Sequence, residues 1–151
     1  MGALSGVDFR VGGMSWKIRI PVRSYELDTL GHLNHAVYHQ YGEVARVEGF
    51  AAAGCQWGDF VTRSVAPVLL SSTINFRREV RGGEQVDVTC VVKFGAGKTF
   101  NTDSVILKLD GTVAAEITCL LGMMDLKERK LVQDPLGTLK EFGFDPTALA
   151  A

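Results

Sequence analysis

The segment "NHAVYHQYGEVARVEGFAAAG", residues 34–54, constrains the fold more than any other part of the chain. Asn34 stands where an N-cap belongs, the composition is Ala-rich, and Gly54 falls where a left-handed residue ends a helix. The spacing predicts one helix over residues 35–53. Val37, Tyr38, Tyr41, Val44, Ala45, Val47, Phe50 and Ala51 occupy more than one stripe of it, which predicts burial over much of its circumference. Such a helix needs a wrapper.

The wrapper is legible in the remaining apolar runs. "SWKIRIPV" alternates Trp16, Ile18, Ile20 and Val22 with polar residues and Pro21, the period of an edge strand. "VAPVLLSSTINF", "EQVDVTCVVKF", "KTFNTDSVILKL" and "TVAAEITCLLGMMDL" read as four more strands, separated by the turn signals Gly82-Gly83, "GAGK" and Asp110-Gly111. Short connections imply antiparallel neighbours. The predicted class is α+β, a curved antiparallel sheet of about five strands around one long helix. Two-sided apolar pattern in "EQVDVTCVVKF" and "TVAAEITCLLGMMDL" predicts a sheet edge that pairs with another copy, giving a homodimer or a homotetramer built as a dimer of dimers.

With 151 residues, 46% of them hydrophobic, the chain is expected to be a single domain over residues 1–151, with the lead 1–14 and the tail 133–151 peripheral and the tail loosely held. Sixteen basic and seventeen acidic side chains leave a net charge of -1, so no global field favours nucleic acid or an anionic membrane. No segment approaches the ~20 apolar residues of a membrane span, and the lead has no basic region followed by an apolar run, so a cytoplasmic protein is expected. Cys55, Cys90 and Cys119 have no short paired spacing and read as buried thiols.

The chemistry gathers in "DTLGHLNHAVYHQY". Gly31 lets the chain turn between Asp28 and the cap Asn34, so the Asp28 carboxylate can fold back towards the helix N-terminus. There it would face unpaired N–H groups at His35 and the positive end of the helix dipole. That pair suits acyl transfer: N–H groups polarise a carbonyl while the carboxylate attacks or activates water. A thioester fits better than an amide, because a thiol of pKa about 8.5 leaves as thiolate with little help. The simpler alternative for Asp28 is a turn residue that satisfies nearby backbone.

The run "VRSYELDTLGHLNHAVYHQYGEVAR", with "INFRREVRGGEQVDVTCVV" and "DGTVAAEITCLLGMMDLKERK", resembles the 4-hydroxybenzoyl-CoA thioesterase family over roughly residues 17–132. The resemblance implies the hot-dog fold and hydrolysis of acyl-CoA or acyl-carrier-protein thioesters. It also implies Asp28 as catalytic carboxylate and the His35 N–H as the group that polarises the thioester, with the His35 side chain functional in one branch. Gly31, His32, Asn34 and Tyr38 would then border the substrate, and no cofactor or metal is implied. The chain mixes the motifs of two branches, so substrate preference does not carry across. A non-catalytic acyl-thioester binder or sensor keeps the same fold and is the alternative function.

Other readings complete the set. His35 and His39, four apart, would hold a metal only with a third ligand such as Asp28. His32 reads equally as a loop histidine bonded to backbone, and Tyr38 and Tyr41 as core. Glu43 and Arg46 are spaced for an ion pair on the helix. Arg77, Arg78, Arg81 and Lys98 are candidates for the phosphates of coenzyme A, or else charges that protect a strand edge.

Overall fold

The computed structural model describes residues 15–151, and the expectations placed on residues 1–14, the lead among them, lie outside the described residues. In chain order the elements are β1 (Lys17–Pro21), a 3-10 turn (Ser24–Glu26), α1 (His35–Ala52), α2 (Trp57–Arg63), β2 (Val65–Phe76), β3 (Gln85–Thr89), β4 (Val91–Phe94), β5 (Thr99–Lys108), β6 (Val113–Asp125), β7 (Lys130–Leu131), α3 (Pro135–Glu141) and a second 3-10 turn (Pro146–Leu149). All strands join one antiparallel sheet in the order β1-β3-β5-β6-β2. β4 continues β3 along β5 after an interruption at Cys90, and β7 pairs with β6, so five main paths account for the sheet.

α1 starts where its cap dictates, with the Asn34 side chain accepting from Ala36 N at 3.0 Å. Its inner face lays Tyr38, Tyr41, Gly42, Ala45, Gly49 and Phe50 on the sheet. The sheet answers with Val86 and Val88 of β3, Phe100 and Ile106 of β5, and Ile117, Leu121 and Met123 of β6, all buried. Gly42 and Gly49 make this approach close: a Cβ at Gly42 would lie 3.0 Å from Ile117 Cδ1, and one at Gly49 would lie 3.4 Å from Cys90 Cβ. Burial of this apolar surface is the main favourable term for the fold.

Three expectations need correction. α1 is buried on one face rather than around most of its girth; Gln40, Glu43, Val44 and Glu48 face outward, because one curved sheet covers one side of a cylinder. The longest open edge among the described residues is β2, rather than β3, which lies between β1 and β5, or β6, which lies between β5 and β2. β2 leaves Leu69, Leu70 and Phe76 about half exposed, at 50%, 46% and 50%.

The tail is the third correction. Leu139, Phe142, Phe144 and Leu149 are buried, Phe144 stacks on Phe50 at 5.2 Å, and Phe142 packs on Phe60 at 4.6 Å. The residues that suggested a loose segment are helix starts: Asp134-Pro135 and Asp145-Pro146 each place an Asp cap before a Pro in the first turn. The tail meets the end of α1 at Gly54, whose φ of +107° and contact with the Gly143 carbonyl leave no room for a side chain. Asp145 N also donates to Ala53 O at 2.8 Å. Among the described residues no helix is long and apolar enough to cross a membrane.

Because the tail closes the core, Leu139→Ala should destabilise the protein by about 2–5 kcal/mol in urea unfolding. A loosely held tail would give a change within about 0.5 kcal/mol.

Candidate active site

The site grows from a tether between α1 and the 3-10 turn that follows β1. Tyr41 OH donates to Glu26 Oε1 at 2.8 Å, and Arg23 N donates to the same oxygen at 2.8 Å. Asn34 N donates to Glu26 O at 2.9 Å, so both ends of the intervening loop are fastened to Glu26. Burial of Tyr41 and its bond to Glu26 push the phenol well above its ordinary pKa, which keeps it a donor.

Asp28 sits inside this loop. Its N–H donates to His32 O at 2.7 Å, and its carbonyl accepts from Gly31 N at 3.1 Å. Gly31 has φ +76°, the left-handed conformation that lets the chain double back. Asp28 Oδ1 accepts from Leu30 N at 2.8 Å and His32 N at 3.1 Å. Oδ2 has no hydrogen bond among the described residues, and the side chain is exposed. The His32 and Leu30 N–H groups hold the carboxyl below the usual carboxylate range, with a smaller push from the nearby His32 and His35 imidazoles. The turn reading and the catalytic reading therefore apply to different oxygens: one builds the loop and the other stays available.

Opposite stands the N-terminus of α1. Ala36 N is taken by the Asn34 side chain and Val37 N by Asn34 O at 2.9 Å. The His35 N–H makes no hydrogen bond among the described residues, which leaves it free to polarise a carbonyl at the positive end of the helix.

Other candidates scatter. His32 is bound through Nε2 to Glu79 Oε2 at 2.9 Å rather than to a backbone carbonyl. Tyr38 is buried against Phe76, with ring centroids 5.1 Å apart, and burial raises its pKa. Arg77 is occupied by Glu116 at 3.0 Å and Arg81 by Glu79 at 2.7 Å, whereas the Arg78 guanidinium donates to the Arg77 carbonyl at 2.9 Å. Lys98 is not gathered with them: it precedes β5, whereas Lys108 at the other end of that ten-residue strand pairs with Glu84, three residues after the Arg81 that bridges His32. No group of three His, Cys, Asp or Glu side chains among the described residues is placed to hold a metal. Burial raises the thiols of Cys55 to about 11 and Cys90 to about 12, so neither is a ready nucleophile.

One feature was invisible in sequence. A cleft of about 330 Å³ runs beside α1 under β2, lined in part by His39, Glu43, Arg46, Ser72 and Cys119. His39 Nδ1 lies 3.0 Å from Ser72 Oγ, Cys119 Sγ donates to Ser72 Oγ at 3.5 Å, and Arg46 donates to Cys119 Sγ at 3.5 Å. A second hollow of about 190 Å³ shares Glu43, Arg46 and Leu69 with it and continues past Val47, Phe50, Trp57 and Leu121. Its members come from elements 33 to 73 residues apart, and no local pattern announces such a meeting.

Residues 22–142 match the model of the thioesterase-like superfamily. The chain belongs to this superfamily. It is 31% identical over 114 residues to the long-chain acyl-CoA thioesterase FadM of Escherichia coli K12, covering 74% of this chain and 85% of the relative. The crystal structure of the probable thioesterase YbaW from Escherichia coli superposes with a TM-score of 0.74 at 26% identity, over 85% of this chain and 98% of that one. A 1,4-dihydroxy-2-naphthoyl-CoA thioesterase from Synechocystis gives 0.75 at 17% identity, over 89% and 95% of the two chains, and shares the fold. The superfamily member described here thus has the hot-dog architecture that the sequence resemblance implies.

In this hot-dog chain Asp28 should titrate below an ordinary aspartate when its carboxyl carbon is followed by NMR. Its folded pKa lies below its unfolded one, so the stabilisation it provides is present above the unfolded value and is lost as pH falls through the folded one. A normal titration would show that the Leu30 and His32 hydrogen bonds do not persist in solution.

Proposed function

We propose that the protein hydrolyses acyl-CoA thioesters to free acid and coenzyme A, with acyl-carrier-protein thioesters as the alternative substrate. Family and relative together make it a thioester hydrolase. One observation carries the assignment of residues: a carboxylate with one oxygen free, in electrostatic reach of the helix end where the His35 N–H is unspent. The thioester carbonyl oxygen accepts from that N–H, and the helix dipole favours the negative charge that develops on it. The ionised Asp28 oxygen takes a proton from the attacking water, or attacks the carbonyl carbon itself, and in either case the thiolate leaves unaided. Direct attack leaves a mixed anhydride on Asp28, which water then hydrolyses to the free acid and the carboxylate.

The cleft beside α1 supplies the acyl site. It begins near His39, one turn from His35, and runs past Glu43 and Arg46 towards Val47, Phe50 and Trp57. An acyl chain leaving the helix N-terminus can therefore lie along α1, and the name of the FadM relative makes a long chain the natural first substrate. Asn34 shapes the helix end and Tyr38 backs it.

A homodimer completes this arrangement. The open β2 edge, with Leu69, Leu70 and Phe76 half exposed, is a template for a second copy. Antiparallel pairing of two β2 strands would set the Val65 end of one copy beside the Phe76 end of the other. That carries Lys98 of one copy towards the Asp28 end of its neighbour, where it can meet coenzyme A phosphates.

Thiol release measured across acyl-CoA chain lengths and aryl-CoAs tests the reading. Asp28→Asn should lower kcat by about 10²–10⁴-fold with the fold intact. Tight acyl-CoA binding by the native protein without thiol release would replace the enzyme with an acyl-thioester binder.

A further inference from the structure

We propose that Glu79, in the connection between β2 and β3, is a positioning residue for Asp28: its carboxylate bridges His32 and Arg81 and locks the loop that presents the free Asp28 oxygen. The inference rests on Asp28 being the reacting carboxylate.

The loop is fastened to the rest of the chain along one short stretch. Leu33 N donates to Val80 O at 2.7 Å, Gly82 N donates to Gly31 O at 3.2 Å, and His32 pairs with Arg81 as an isolated antiparallel bridge. Alternation puts Val80 inward, where it is buried with Leu33, and turns Glu79 and Arg81 outward beside His32. Glu79 then uses both oxygens: Oε2 meets His32 Nε2 at 2.9 Å, and Oε1 accepts from Arg81 Nη2 at 2.7 Å and Nε at 3.1 Å. Arg81 N is itself held by Glu84 Oε2 at 2.6 Å, and Glu84 pairs with Lys108 of β5 at 3.3 Å. The clamp is thus anchored in the sheet.

His32 is the link to the reacting group. Its N–H donates to Asp28 Oδ1 and its carbonyl accepts from Asp28 N, so any swing of His32 moves Asp28. Glu79 holds the third handle, the imidazole. The titratable and charged groups around this loop are Arg23, Glu26, His32, His35, Glu79, Arg81, Glu84 and Lys108, and removal of Glu79 changes both the geometry and the balance of charge beside Asp28. The His32 and Glu79 side chains are 27% and 45% exposed, so the pair adds little to global stability. Its effect falls on the local loop.

Glu79→Gln, with Glu79→Asp as the conservative variant, separates positioning from folding. The expected result for Glu79→Gln is an unchanged melting temperature, a kcat lowered by about tenfold or more with KM little altered, and partial recovery in Glu79→Asp. The acid limb of kcat should move to higher pH, because looser N–H bonds to Asp28 no longer depress its pKa. Amide exchange at Leu30 and His32 should quicken at the same time. Native exchange in Glu79→Gln would overturn the clamp, and quickened exchange with native kcat and acid limb would overturn its link to catalysis. A native protein that releases no thiol would overturn the thioesterase reading instead, and the exchange measurement would still decide the clamp.

Discussion

The seating of α1 on the concave face of the sheet is the contact from which the rest of the molecule follows. Gly42, Ala45 and Gly49 form its line of approach, and at Gly42 even one added carbon would press on Ile117. Small residues let the backbone come close, and larger ones on either side, Tyr38, Tyr41 and Phe50, then fill the flanks. This fixes the axial position of the helix. Its N-terminus is consequently held beside the loop after β1, and its outer flank borders the cleft beneath β2.

From that position the loop is built by satisfied hydrogen bonds rather than by apolar contact. Glu26 ties both ends, Gly31 makes the reversal, and Asp28 spends one oxygen on two N–H groups. Because those donors favour the ionised carboxylate, the acid is kept charged in an exposed place where water would otherwise have set its pKa. The helix end provides the complementary element, a donor that its own cap leaves unused. In the proposed reaction, structure and reactivity are supplied by different atoms of the same few residues.

Much of this was legible in the chain. The helix bounds agree within one residue at the C-terminal end, and the four apolar runs after it became β2, the β3–β4 path, β5 and β6. Periodicity and turn residues act over a few positions, so sequence displays them. α2 and α3 were not legible. Each is seven residues long, too short for a periodic signal, and the Pro residues near the tail suggested disruption where they begin helical turns. Lys98 was grouped with Arg77 and Arg78 as a candidate for coenzyme A phosphates, and β5 separates it from the end of that strand where Lys108 meets Glu84.

By itself the sequence determined the order of the first strand, the long helix and the four strand runs after it, the helix cap, the turn at Gly31 and the proximity of Asp28 to a helix N-terminus, because each of these depends on residues within about ten positions of one another. The tertiary structure alone decided that His32 answers to Glu79, that His39 meets Ser72, and that the tail belongs to the core. Those outcomes require segments far apart in the chain to be brought together. Register is set by the packing of the whole sheet around α1, a condition that no short window of sequence contains.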